Sequence, residues 1–417
     1  MIHEVRLAHE TKYYLWQITC LQIDVLACAV QIQLNFTEQD LQTALKCKMS
    51  QQRAIRVANW ICRHRDTREG LQTFVTGTQC ERRSLVESMQ QDVLRLYCGQ
   101  LNKTLECCFA DDRHLPAYQK GAKQFLLAFY DQLSNGIPTD ILASNSRKYS
   151  RYGREQFFKA YEEANSRQSV CAICDEHRPI TIIRGHVHSD IEHYFPKSVY
   201  PHLACHPYNL IPICQACNSA HHNKDPLQGR GCSPRRRTLG EVFLPYRNES
   251  VRSHGAVIFD GNKPDLYIVE RNNNNNSLFY TRVTAFLEIY DVPQRWKSQI
   301  HRIGEQLWRQ ISHFALAEIE KNEALDVFKV KTVLERLLNY FIEDLGATSW
   351  DYVLIWYLSY LLVTEIETAI QNHQPPHEVP LIQTLDEIIK NPSPDIPALP
   401  AHKVLEISRE LYNQGLP

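Results

Sequence analysis

The sequence predicts an α+β fold, in which two mainly helical regions flank a turn-rich centre. Three observations predict it. Apolar residues recur three and four apart through much of 1–165 and 281–417, as helices with one buried face require. Turn residues and all the candidate metal ligands crowd into the segment from about Gln168 to Arg247. Two short runs of strand character, Ala256–Asp260 and Asp265–Glu270, follow it around the turn sequence Gly261-Asn262-Lys263-Pro264.

In the first region, 1–165, Val86–Leu101 and Leu126–Leu133 carry the helical spacing, and Ser134-Asn135-Gly136-Ile137-Pro138 breaks it. Ile18–Phe36 contains Asp24 and several glutamines, and Tyr352–Val363 is apolar but shorter than the ~20 residues of a spanning helix. Both are expected to be buried core, with no membrane contact. The basic, tyrosine-interleaved stretch Arg147–Arg154 reads as a solvated face or linker as readily as a phosphate contact. Residues 166–250 form a module of their own. Residues 251–280 hold the two strands and the asparagine run Asn272–Asn276, an expected exposed loop. In 281–417 the helical stretches are Val283–Ile289, Trp296–Glu318, Val327–Asp344 and Trp350–Ala369, and prolines at Pro375-Pro376 and within Asn391–Pro400 break the tail.

The 417 residues suffice for two or three domains, and 43% apolar with 22% charged residues is ordinary for a globular protein. A net charge of −1 excludes a chain that grips nucleic acid over its whole surface, so any such binding is local. Glu4, Arg6, His9, Glu10 and Lys12 stand where an export signal would need an apolar run, which predicts a cytoplasmic protein in a reducing compartment. There, paired cysteines read as metal ligands before disulfides. Of the 14 cysteines, eight lie between Cys20 and Cys108 without close pairing and are expected to be small buried hydrophobes. Six lie between Cys171 and Cys232.

Four of those six, in two pairs, matter most. Cys171-Ala-Ile-Cys174 and Cys214-Gln-Ala-Cys217 are C-x-x-C knuckles, and together they supply the four thiolates of a closed tetrahedral Zn²⁺ site. Such a site holds together a loop-rich segment whose own core is small. The competing reading is four buried thiols without a metal. His186, His188, Cys205 and Cys232 are spare candidates.

Between the knuckles runs Ile191-Glu192-His193-Tyr194-Phe195-Pro196-Lys197-Ser198, then Asn209-Leu210. After the second pair come Asn218-Ser219-Ala220-His221-His222-Asn223-Lys224. These residue types suit phosphodiester hydrolysis, which needs a base for water and a cation for the charge on the phosphate and leaving oxygen. His193 titrates in the right range to be that base. Asn218 is expected to open a helix, with His222 four residues on along the same face. With Glu192 the pair could complete an Mg²⁺ or Mn²⁺ site. Lys197, His221 and Lys224 are candidate phosphate contacts, and Arg230 with Arg235-Arg236-Arg237 is either a clamp on the nucleic-acid backbone or a solvated basic loop.

Over about Cys171–Tyr246 this pattern resembles the HNH endonuclease family in its zinc-knuckle form: C-x-x-C, a carboxylate-His followed by x-x-P, an Asn-Leu, then C-x-x-C-N. The resemblance implies a central ββα-metal module with a Cys₄ zinc site, and leaves the flanks unassigned. It implies that Glu192 occupies the acidic metal-binding position, where Asp is commoner. It also implies that Asn209 is the middle residue, hydrogen-bonded to the base histidine to fix its tautomer. Lys is frequent where His221 sits, which leaves the roles of His221 and His222 interchangeable.

The local wording, with Phe243-Leu244-Pro245-Tyr246 and Gln294-Arg295-Trp296, is similar to prokaryotic defence-type HNH proteins such as the Septu nuclease component. That implies DNA as substrate, a role in anti-phage defence or restriction, and a protein partner such as an ATPase or other sensor. Two other expectations compete: a catalytically silent zinc module that binds nucleic acid or protein, and an RNA-cutting effector. The intact Glu192, His193, Asn209 and Asn218 argue against the silent module, which would need only its cysteines.

Overall fold

A computed structural model describes residues 2–33, 36–109, 113–143, 148–176, 181–183, 186–188, 190–222, 224–229, 235–247, 250–260, 265–270, 277–299, 302, 306–307, 309–311, 326–343 and 351–372. The chain divides into two compact units. One comprises residues 4–166 and 179–249; the other comprises 1–3, 167–178 and 250–417. The α+β class holds: helices dominate, with a few two-stranded antiparallel pairs.

The first unit begins with α1 (His9–Ala29), whose Leu15, Ile18, Leu21, Val25 and Leu26 are buried. α2 (Glu38–Leu45) starts at a capping box between Thr37 and Asp40, and α3 (Gln51–Arg63) and α4 (Arg65–Phe74) follow. α5 (Gln79–Cys98) starts at a second box, Thr78 with Glu81, and ends at Gly99 in the left-handed conformation. α6 (Ala117–Gln132) crosses α4 closely. A Cβ at Gly121 would stand 2.3 Å from the Phe74 nitrogen, so only glycine permits this approach.

The expected breaker ends α6 and leads into β1 (Ile137–Pro138), paired with β2 (Arg151–Tyr152), before α7 (Arg154–Ala164). The basic stretch is structural where it is described. Lys148 and Tyr149 bind Glu10, Arg151 donates to the Asn135 and Gly136 carbonyls, and Tyr152 stacks on Tyr14 at 4.7 Å. Arg147 lies outside the described residues.

β3 (Thr181–Ile183) and β4 (His186–His188) form a hairpin. β5 (Asp190–His193) then pairs antiparallel with β6 (Leu210–Ile213), setting His193 opposite Leu210 and Glu192 opposite Ile211. α8 (Gln215–His221) follows β6 directly, with Cys214 as its N-cap, so the helix opens inside the second knuckle and Asn218, expected to open it, lies within its first turns. Two strands and a helix in this order position the site.

In the second unit α9 (Val251–His254) leads into the expected hairpin, β7 (Gly255–Asp260) with β8 (Asp265–Glu270); its turn and the asparagine run lie outside the described residues. α10 (Ser277–Tyr290) and α11 (Val292–Ser298) follow. The helix expected over Trp296–Glu318 is interrupted: its start belongs to α11, which begins at Val292 with Pro293 in its first turn and ends where Gln299 leaves the helical region, and the described residues Arg302, Gln306, Leu307 and Arg309–Ile311 are helical again. Residues 312–318 of that expectation lie outside the described residues. α12 (Val327–Glu343) buries Val330, Val333, Leu334, Leu337 and Phe341 at helical spacing. α13 (Asp351–Leu361) passes through a π turn, Leu362–Glu367, to α14 (Thr368–Gln371), and its Tyr352, Val353, Leu354 and Leu358 are core. The proline-broken tail lies outside the described residues.

Among the described residues no helix is long and apolar enough to cross a membrane. The early cysteines depart from expectation. Cys28 and Cys107 are buried, whereas Cys47, Cys80, Cys98 and Cys108 are exposed, because they fall on outward faces or ends of helices and in loops.

Candidate functional site

The four knuckle cysteines come together. Cys171, Cys174, Cys214 and Cys217 are buried, and their sulfurs all lie within 4.8 Å of one another. Zn–S bonds of ~2.3 Å in a tetrahedron place sulfurs about 3.8 Å apart, so this donor set fits a zinc-sized ion with small adjustments. Among the described residues it is the one group of three or more Cys, His, Asp or Glu able to hold a metal. Cys205 is buried apart from it, and burial pushes its thiol well up. The side chains of His186 and His188, and all of Cys232, lie outside the described residues.

The first knuckle is braced within the second unit. Its Ala172 carbonyl accepts from the backbone of Ile2 and His3 at 2.8 and 3.0 Å, and its Cys174 carbonyl accepts from the Trp296 indole at 2.8 Å. Asp175, at φ 59°, sits fully buried between the His3 imidazole at 2.5 Å and the Tyr352 amide at 2.9 Å. Burial drives the Asp175 carboxyl upward against the opposing pull of His3. Arg295 pairs with Glu176 at 3.0 Å. The Arg295-Trp296 wording was legible in the sequence; its function as a brace for the knuckle was not.

The second feature is a cleft of about 260 Å³ in the first unit, lined by Glu192, His193, Pro196, Lys197, Asn218, Ser219 and His222. His193 ends β5 and is buried. Its Nε2 lies 3.1 Å from the Ala204 carbonyl. A carbonyl only accepts, so Nε2 carries the proton and Nδ1 the lone pair. Burial, and then the charge of Lys197, lower the pKa of this ring to about 3. It is therefore neutral at physiological pH, with Nδ1 unprotonated.

Asn209 does not bond the histidine directly. Its amide oxygen accepts from the Phe195 amide at 2.6 Å, and its amide nitrogen donates to the Phe195 and Leu203 carbonyls at 3.1 and 2.9 Å. It therefore ties down the loop between β5 and β6, and that loop delivers the Ala204 carbonyl to His193. The expected direct bond becomes an indirect one because the Asn209 side chain is fully committed to backbone.

His221 also departs from expectation. It is completely buried, which removes it from the candidate phosphate contacts, and its Nδ1 lies 2.6 Å from Glu192 Oε1. Its Nε2 is 3.2 Å from the Tyr194 carbonyl and must hold the proton there. The Nδ1 lone pair then faces a carboxylate oxygen, and two acceptors this close require a proton or a cation between them. His222 caps α8 instead of continuing it, is exposed, and lines the cleft with Asn218. Glu192, Asn218 and His222 face the cleft, and His221 is buried behind Glu192.

Of the cations, Lys197 lines the cleft, its ammonium 4.5 Å from the Tyr130 ring centroid, and Lys224 is half-buried. The arginine triplet is divided. Arg235 is paired with Glu241, Arg236 lies over the Tyr200 ring at 5.7 Å, and Arg237 is buried, donating to the Pro226 carbonyl at 3.1 Å. Arg237 is thus neither a clamp nor a solvated charge. Arg230 lies outside the described residues. Tyr130, whose ring meets His193 at 4.3 Å, carried no sequence signal beyond helical burial. No family model, curated protein or solved structure matches this chain.

Proposed function

We propose that this protein is a zinc-stabilised, metal-dependent HNH endonuclease that hydrolyses phosphodiester bonds in DNA, in the service of prokaryotic anti-phage defence or restriction. One observation carries the reading: the Glu192 carboxylate and His221 Nδ1 meet at 2.6 Å beside a cleft that also holds a neutral buried histidine.

In this reading His193 Nδ1 takes the proton from the attacking water. The Ala204 carbonyl, already bonded to Nε2–H, steadies the imidazolium that results. Burial disfavours that charge in the empty cleft, and a phosphate anion entering beside it favours it. Glu192, supported from behind by His221, would hold a divalent cation at the cleft, with Asn218 and His222 on the cleft wall as its further donors. Such an ion, when bound, neutralises charge on the phosphate and the leaving oxygen. Lys197 supplies a second positive charge at the cleft wall, and Lys224 a further one for the backbone. The Cys₄ set takes Zn²⁺ as a structural ion.

DNA is the substrate this reading takes from the likeness to defence-type proteins, with no residue that separates it from RNA, and the same likeness suggests a sensor or ATPase partner, for which the helical regions offer surface. The test is cleavage of supercoiled plasmid by the full chain with Mg²⁺ or Mn²⁺. Cleavage that His193→Ala abolishes at unchanged zinc content supports the reading. Equal cleavage by wild type and variant overturns the assignment of the base, and RNA cut in preference to DNA overturns the substrate.

A further inference from the structure

Tyr130 lies on α6, in a helical region that the sequence leaves unassigned. Its hydroxyl donates to the Ile191 carbonyl at 3.3 Å, 61 residues away and two before His193. Its ring meets the His193 imidazole edge-on, at 4.3 Å and 66°. The Lys197 ammonium stands over the same ring, 4.5 Å from its centroid. Two turns earlier on α6, Lys123 donates to the Ser198 carbonyl at 2.5 Å. One face of one helix therefore grips the strand that precedes His193 and the loop that follows it.

We propose that Tyr130 is a positioning residue of the cleft, whose ring fixes the His193 imidazole and the Lys197 ammonium in a single geometry. An aromatic face is negative and its edge positive, so one ring can attract a cation and seat a second ring at right angles. Lys197 has a long flexible stem and would otherwise sample many rotamers. Its distance from His193 matters because its charge opposes protonation of that ring. Within the nuclease reading, on which only the effect on cleavage rests, Tyr130 sets where the base and the phosphate-facing cation stand.

The contact has a direct readout. In the full-length protein with ¹³C-labelled lysine, the Lys197 ε-methylene protons should be shifted upfield by the ring current of Tyr130. Random-coil shifts in the wild type overturn the proposal without any variant. Tyr130→Phe keeps the ring and should retain the upfield shift. Tyr130→Leu should abolish it and move the His193 ¹⁵N resonances, in protein whose thermal transition remains cooperative. Unchanged Lys197 and His193 signals in folded Tyr130→Leu overturn it. If the wild type cuts, Tyr130→Leu should lower kcat by about tenfold to a hundredfold with KM within about twofold, and Tyr130→Phe should cut nearly as well as wild type. An intact lysine shift in a protein that cuts no nucleic acid leaves the positioning in place and removes the nuclease reading instead.

Discussion

His221 Nδ1 and Glu192 Oε1 stand 2.6 Å apart, one at the end of α8 and the other on β5, while His221 Nε2 is committed to the Tyr194 carbonyl. The Tyr194 carbonyl accepts from Nε2–H, and the short contact at Nδ1 is closed by a proton or a cation between nitrogen and carboxylate. Strand and helix are thereby joined by two groups that share a need for positive charge.

His221→Ala should therefore weaken Mn²⁺ binding by about 10- to 100-fold, the range typical of lost ligands and their supports. His222→Ala should have a smaller effect, since His222 is exposed at the helix end. Titration of Mn²⁺ followed by electron paramagnetic resonance separates them. Equal affinity for His221→Ala and wild type would sink the pairing.

Asn209→Ala should destabilise the protein by about 2–4 kcal/mol in urea denaturation. Three hydrogen bonds to backbone are lost at a position with no solvent exposure, and water cannot replace them. The loss should extend to His193, because the same loop presents the Ala204 carbonyl. Asn209→Asp should be no better, since a carboxylate would face the Phe195 and Leu203 carbonyls.

The residues that sequence reading located are those whose geometry is local. Ligand pairs at C-x-x-C spacing need one turn of chain, and Glu192 and His193 are neighbours on one strand. His221 and His222 were not separable, because helical periodicity assumes that the helix continues, whereas α8 stops at His221 and His222 turns away as its cap. Asn209 was legible as a motif residue but not as a loop clamp, since its partners are backbone groups that any side chains could carry. Tyr130 and Trp296 act across 61 and 122 residues of chain, and each has the pattern of an ordinary buried aromatic. Arg237 looked like its neighbours in a basic run, yet burial gives it the carbonyls of its own loop.

Acid should weaken the fold through its buried neutral histidines. Burial, reinforced in His193 by Lys197, lowers both His193 and His206 to about 3, whereas an unfolded histidine titrates near ~6.5. Between these values the unfolded chain binds protons that the folded chain does not, so stability is complete above about pH 6.5 and falls as pH drops toward 3. Each group adds a slope of at most about 1.4 kcal/mol per pH unit in that window. Urea midpoints measured from pH 7.5 to 5 should fall with acid, and less steeply in His193→Gln. An identical slope in that variant would remove His193 from the account.

Zinc should behave as part of the fold. Four buried sulfurs within 4.8 Å of one another are a ready donor set, and an ion that displaces their protons binds all four at once and so adds its binding energy to the folded state. Chelation should therefore lower the thermal midpoint by ten degrees or more, consistent with a loss of a few kcal/mol, and zinc added back should restore it. Trp296→Phe makes the sharper test. It keeps a large aromatic in the core but leaves the Cys174 carbonyl without the indole N–H that meets it at 2.8 Å. An unpartnered buried carbonyl costs about 1–3 kcal/mol, and here the cost falls on the turn that aims the first pair of thiolates. The variant should fold with zinc present, release zinc to a competing chelator about 5- to 100-fold more readily, and leave Mn²⁺ binding at the cleft unchanged. Undiminished zinc retention would show that the knuckle holds its shape without the tryptophan.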